Sequence, residues 1–318
     1  MRPPSRIVAS VVATGFVLLS LSRLAGAEIN SGGKHCLWRI TNARAPFYLL
    51  GSVHSLQRSD YDTVPIIEQA IRQSQKIVFE VDPKEGAVFA TKLRAAARLP
   101  RGEQIKGKLS PKTYNYLRKI TINGMAEWQH LYPWAIAMLL NYPQLQGVSS
   151  IYGVDTHIAQ SARRYSKATG GLETADEHVR VFSDMQMIEG EVYLLQALVH
   201  AADAQQQFQL NVAAWKAGDT NRLYALHTKE MKEAPTVWWR LLDRRNAKWI
   251  PRLEAANKSG TSTLVVAGAL HFSGPRSVMR GCKNGVTKSS NCSYILPDVR
   301  LRCGLLLRAL QQKRVWKV

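Results

Sequence analysis

The chain has 318 residues, 46% of them hydrophobic and 21% charged, with 43 basic against 23 acidic side chains and a formal net charge of +20. This composition excludes a disordered chain, and the length suffices for a large core without structural staples. The charge favours anionic partners such as an envelope lipid surface. However, the basic residues are dispersed over helical patterns (Arg163, Arg164, Lys167; Arg240, Arg244, Arg245, Lys248) with no tract of interleaved aromatics, which argues against a dedicated nucleic-acid role.

The amino terminus, MRPPSRIVASVVATGFVLLSLSRLAGA, carries Arg2 and Arg6, an apolar run from Ile7 to about Leu21, and the small residues Ala25, Gly26 and Ala27. This is the pattern of a secretory signal peptide over residues 1–27. The run is shorter than the roughly 20 apolar residues of a membrane span, and Ser and Thr interrupt it. The expectation is an exported protein, periplasmic or secreted after cleavage near Ala27, with no transmembrane helix in the mature chain. No cysteine follows the small residues, which argues against a lipid anchor. All four cysteines, Cys36, Cys282, Cys292 and Cys303, lie in the mature part. None has metal-binding C-x-x-C spacing, so disulfides are expected, foremost Cys282 to Cys292 across the loop KNGVTKSSN. Cys36 and Cys303 lie near opposite ends, and all three connectivities stay open.

WRITNARAPFYLLGSVH reads as two strands joined by a turn at Asn42 to Pro46. A helix capped by Asp62 or Thr63 follows, with Pro65 in its first turn and Ile66, Ile67, Ala70 and Ile71 on one face. KIVFEVDP then reads as a β-branched, aromatic strand closed by Pro83. Strand, helix, strand suggests a parallel unit, in which ligands gather at the strands' carboxyl ends. The middle is helical: one helix from Ser110-Pro111, an apolar one in EWQHLYPWAIAMLL interrupted near Pro133, and one capped by Asp155 through THIAQSARRYSK. After a strand-like GGLE, Thr174 and Glu177 form a capping box for a long helix with Val181, Met185, Ile188, Val192 and Leu195 on its apolar face. Trp238 and Trp239 are assigned to core packing, and LVVAGALH returns the chain to strand.

Two segments share one grammar. In YLLGSVHSL and LVVAGALHF a buried strand ends in a glycine, two residues intervene, and a histidine follows: Gly51 with His54, and Gly268 with His271. A third G-x-x-H, Gly32 with His35, has no strand before it, so the strand is the information and the spacing is not. Glu80 is acidic where a buried strand should be apolar, and Glu173 repeats this at another strand end. An unpaired carboxylate there would cost several kcal/mol. Two histidines with one or two carboxylates suit zinc, manganese or cobalt with water in an open position. The alternative is that Glu80 pairs with an arginine and Glu173 caps a helix. Asp155, His157 and His178 are assigned to capping and helix surface. GEQIKGKL imitates a phosphate loop, but Leu109 replaces the required hydroxyl and no strand precedes Gly102; H-E-x-x-H and G-x-S-x-G are absent.

The order LGSVH, VFEVD, a helix containing WAIAM, YGVDTHIAQSA, GLET, RRNAKW and VAGALHFSGP resembles the TraB/GumN family, related to the Tiki proteases, from about Trp38 to about Gly274. The resemblance implies an α/β fold of two related β-sheet halves with strand-end sites, joined here by a helical insertion over about 84–257 within a domain spanning 28–318. It implies a metal-dependent hydrolase, foremost a peptidase. By motif position His54, Glu80 and His271 hold a divalent ion whose bound water attacks a peptide or other acyl carbonyl. Glu173 ligates the ion or acts as general base, and Arg245 and Asn246 steady the oxyanion. Some relatives are described as binders, so the rival expectation is an exported protein that sequesters a peptide without cleaving it.

Overall fold

A computed structural model describes residues 35–40, 43–60, 65–120, 125–141, 145 and 147–283. The expected signal peptide, the cap at Asp62 or Thr63, and the pairings of Cys292 and Cys303 lie outside the described residues, as does the side chain of Cys282. Cys36 is buried with a free thiol, its Sγ 3.8 Å from the Trp215 carbonyl. Burial, helped by Asp219, pushes this thiol up to about 12.

The strands are β1 (Leu37–Arg39), β2 (Phe47–Ser52), β3 (Leu56–Gln57), β4 (Lys76–Val81), β5 (Val148–Ser149), β6 (Ala168–Glu173) and β7 (Thr263–Gly268). One five-stranded sheet has the order β1-β2-β7-β4-β6, and β3 pairs with β5 in a small second sheet. β1 is antiparallel to β2, whereas β2, β7, β4 and β6 run parallel. The fold is therefore α/β, and the strands on either side of the helical segment join one sheet, with β7 inserted between β2 and β4.

Alternation along the central strands explains the layers. Tyr48, Leu50, Ile77, Phe79, Leu264 and Val266 face one core, completed by α1 (Pro65–Gln73), α6 (Val154–Arg164) and α9 (Ala204–Ala217). Phe47, Leu49, Val78, Val265 and Ala267 face the other, against Trp249 and Leu253 of α12 (Arg244–Lys258). A third core is wholly helical, where α5 (Pro133–Asn141) packs on α8 (Met187–His200). The remaining helices are α2 (Gly86–Ala96), α3 (Pro111–Ile120), α4 (Met125–Trp128), α7 (Ala175–Ser183), α10 (Thr220–Glu233), α11 (Pro235–Trp238) and α13 (Val278–Lys283). No described helix is long and apolar enough to cross a membrane.

Two local expectations need correction. The long helix expected after Thr174 is two: the Thr174–Glu177 capping box starts α7, and a second box, Gln186 with Glu189, starts α8. Periodicity misses the break because Val181, Met185, Val192 and Leu195 stay buried across it. Asp155 does not cap α6 either. Gly153 holds that position, and a Cβ there would stand 2.2 Å from the His54 carbonyl oxygen, so only glycine allows this approach.

Candidate functional site at the strand ends

The register brings the carboxyl ends of four parallel strands together. Ser52 pairs with Gly268 and Val81 with Glu173, while β4 and β7 pair only from Lys76–Thr263 to Val78–Val265. Beyond that point the Glu80 carboxylate takes the role of the missing backbone acceptor: its Oε1 accepts the Gly268 N–H at 2.7 Å. Gly268 is the centre of the arrangement. A Cβ on it would lie 3.4 Å from Glu80 Oε1, 3.6 Å from His54 Nε2 and 3.6 Å from His271 Cδ2. The two imidazoles, 217 positions apart in sequence, thus lie at most twice that distance from each other.

His54 follows β2, is 62% exposed, and pairs through Nδ1 with Asp155 Oδ2 at 2.8 Å. Asp155, in the first turn of α6, also accepts from Ser52 Oγ at 2.8 Å. The Asp155 charge, above all, raises the His54 pKa to about 9, with Glu80 adding to it against burial and Arg245. His271, on the short turn Ala269–Phe272, is buried. Its Nδ1 lies 2.6 Å from Asn246 Oδ1, its Nε2 is 3.1 Å from Arg245 Nη1 and 3.8 Å from Glu80 Oε1, and its ring packs 4.3 Å from Trp249. Asn246 Nδ2 donates to the Arg276 carbonyl at 3.0 Å, which turns Oδ1 towards His271. His271 Nδ1 therefore carries the proton and Nε2 keeps its lone pair. Burial and the Arg245 charge lower the His271 pKa to about 3, so the ring is neutral.

Arg245 is the hub. Its Nη2 donates to Glu80 Oε2 and, at 2.6 Å, to Glu173 Oε1; Nε also reaches Glu173, and Nη1 donates to the Leu241 carbonyl at 3.2 Å. Burial works against ionisation of Glu80, but the charges around it, Arg245 above all and His54 with it, hold it well below the usual carboxylate range. Glu173 is likewise lowered, against its burial, by hydrogen bonds from His178 and Arg245. His178 Nδ1 is 2.6 Å from Glu173 Oε1, and Trp249 Nε1 donates to Glu173 Oε2 at 3.3 Å.

The six residues predicted from sequence thus converge, but in different attitudes. His54 is open to solvent, whereas Glu173, Arg245, Asn246 and His271 are buried and satisfied by one another. Sequence reasoning missed Asp155 and His178 as members of the cluster. Their signal was YGVDTH and ETADEH, read locally as helix starts when their partners lie on other elements.

His54, His271 and Glu80 offer donors of the types a divalent ion takes, and each imidazole has Nδ1 held by an oxygen acceptor, the arrangement that orients ligand histidines, but Arg245 Nη1 stands 3.1 Å from His271 Nε2, nearer than Glu80 Oε1 at 3.8 Å. Among the described residues, a second set, Glu80, Glu173 and His178, has possible ligand atoms all within 4.8 Å of one another. There Arg245 Nη2 already supplies the positive charge, bonded to both carboxylates and 3.3 Å from His178 Nδ1.

An α/β sheet with paired histidines, a buried carboxylate pair and an arginine hub at its strand ends defines the class. The TraB/PrgY/gumN family model matches residues 36–285, and the chain belongs to that family. It is similar to the uncharacterized protein YbaP of Escherichia coli (strain K12), with 24% identity over 257 residues, 76% of this chain and 91% of that protein. The YbaP protein of Shigella flexneri shows the same identity and coverage. No solved structure matches.

Proposed function

We propose that the strand-end cluster is a hydrolytic site for a peptide or other acyl substrate, with a divalent ion (manganese, cobalt or zinc) held by His54, His271 and Glu80. The observation that carries this reading is the matched treatment of the two imidazoles: both have Nδ1 engaged, by Asp155 and Asn246, and His54 Nε2, His271 Cδ2 and Glu80 Oε1 all come within 3.6 Å of the place a Cβ on Gly268 would take. An ion bound there would supply a water acidified to a pKa of about 7 and a Lewis acid for the carbonyl.

The chain's own residues divide the remaining work. Arg245 keeps Glu80 and Glu173 ionised in a buried setting and takes only the Oε2 side of Glu80, leaving Oε1 towards the histidines. Asp155 offsets positive charge at His54. Asn246 holds the His271 tautomer, and Glu173 orients Arg245. In this reading Glu173 and Asn246 act as positioning residues, where the family pattern suggests an ion ligand or general base and an oxyanion donor.

One observation favours a second reading, an exported peptide-binding protein without turnover: Arg245 satisfies Glu80, Glu173 and His271 with no ion required. A quenched peptide library separates the two. Protein stripped by chelator should lose cleavage and regain it with manganese, cobalt or zinc, and His54→Ala should abolish it while the thermal unfolding profile is kept. Peptide binding without cleavage under all three ions would establish the second reading.

A further inference from the structure

Helix α2 lies on the molecule with one face turned in and one turned out, and none of its residues is fully buried. Phe89, Leu93, Ala96 and Ala97 recur at helical spacing on the inner face. Phe89 meets the His178 ring of α7 edge-on at 4.9 Å, and the other three pack on the helical core. The strand-end cluster thus stands one helix thickness, about 10 Å, behind the outer face. That outer face carries Val88, Thr91, Lys92, Arg94 and Ala95, all exposed, and Arg98 continues it one turn after Arg94. Val88, 50% exposed, is one of three large apolar side chains so placed among the described residues.

The charge on this face has one sign. Residues 84–108 hold seven basic side chains and two acidic ones, and both acids are engaged: Glu85 accepts the Ala175 N–H at 2.9 Å, and Glu103 pairs with Lys108 at 2.7 Å. Lys92 pairs with Asp176. The other five, Lys84, Arg94, Arg98, Arg101 and Lys106, are exposed and pair with no carboxylate among the described residues. Arg94 and Arg98 are neighbours at i, i+4, a like-charge placement that works against the helix and that an external anionic surface relieves. The face has no exposed aromatic ring on which a nucleic-acid base could stack, since Phe89 is turned inward. An anionic bilayer takes both of its features, cations at the headgroups and an apolar side chain beneath them. We propose that the outer face of α2, from Lys84 to Arg101, docks on an anionic lipid bilayer, with Arg94, Arg98 and Arg101 on the headgroups and Val88 entering the interface. Ala87, Thr91 and Ala95 are small, so the helix can approach a flat surface closely.

The test is vesicle co-sedimentation of the chain from Glu28 on, the expected exported form, with equimolar phosphatidylglycerol and phosphatidylcholine against phosphatidylcholine alone. Wild type should sediment with the anionic vesicles, stay in solution with the neutral ones, and be released as salt rises. Arg94→Gln combined with Arg98→Gln should weaken partitioning about thirtyfold, since each cation held near the surface contributes about a factor of five. The matched pair Arg163→Gln with Arg164→Gln removes the same charge from exposed positions on α6 and should cost less than about threefold, because charges away from the contact are screened. Val88→Asp should weaken binding several-fold. All these positions are exposed, so the variants should keep the wild-type thermal unfolding profile. No sedimentation with anionic vesicles, equal binding to neutral ones, or equal losses in the two arginine pairs would overturn the proposal. Single-stranded DNA that displaces the protein from the vesicles, with binding indifferent to Val88→Asp, would assign the face to a polyanion and overturn it as well. None of these readouts involves turnover, so they stand apart from whether the strand-end cluster hydrolyses anything.

Discussion

The turn after β2 and the turn after β7 carry the same G-x-x-H spacing on adjacent parallel strands, yet they hold histidines of opposite character. His54 is mostly exposed and faces Asp155, which raises its pKa to about 9. His271 is buried against Arg245, Asn246 and Trp249, and its pKa falls to about 3. The strand and the glycine decide where each ring stands. The helices that meet it, α6 on one side and α12 on the other, decide whether it carries charge at neutral pH.

The most damaging way to break this contrast is to remove its hub. Arg245→Met leaves Glu80 and Glu173 buried without their cation, and breaking a buried pair in this way costs about 3–5 kcal/mol. Urea unfolding should register that loss, and the His271 pKa should rise as the repelling charge disappears. Asn246→Leu removes the acceptor on His271 Nδ1, an expected loss of about 1–3 kcal/mol, with the tautomer change visible in ring ¹⁵N shifts. A stability near wild type with an unchanged tautomer would contradict the role given to Asn246.

The two histidines should also give stability opposite pH dependences. His271 has a lowered folded pKa, so its unfolded form binds protons first, and stability should fall as pH drops from about 6.5 towards 3. His54 has a raised folded pKa, so its contribution is present below about 6.5 and lost as pH rises through about 9. Its exposure keeps this second effect small. Asp155→Asn should return the His54 titration towards 6.5 by NMR while leaving His271 unmoved. As the smallest effect, Glu177→Gln on α7 loses one carboxylate contact each with Arg252 and the Thr174 N–H, an expected cost of about 0.5–1 kcal/mol, and should move neither histidine.

Much of this was legible in sequence where the signal is local. Short apolar, β-branched or aromatic runs marked β2, β4 and β7, Pro65 and Pro111 marked helix starts, and the box Thr174–Glu177 is formed as read. Glu80 announced itself because a carboxylate inside IVFEVD must have a partner; the preferred expectation is a metal ion, and it is the alternative, an arginine, that Arg245 supplies. What sequence could not supply was the set of long-range partners. Asp155 lies 101 positions from His54, and Asn246 lies 25 from His271 on a different element. No periodicity within a helix reports which strand end its first turn will meet, so Asp155 read as a cap and His178 as surface. The α7–α8 break was hidden for a related reason, since the apolar stripe continues through it.

The central claim concerns which side chains would hold an ion, and calorimetric titration of chelator-stripped protein with manganese tests it most directly. The account predicts one site per chain, lost in His54→Ala and in His271→Ala and retained in His178→Ala. Binding that survives without His54 and disappears with His178 would place the ion among Glu80, Glu173 and His178 and contradict the assignment made from the paired turns.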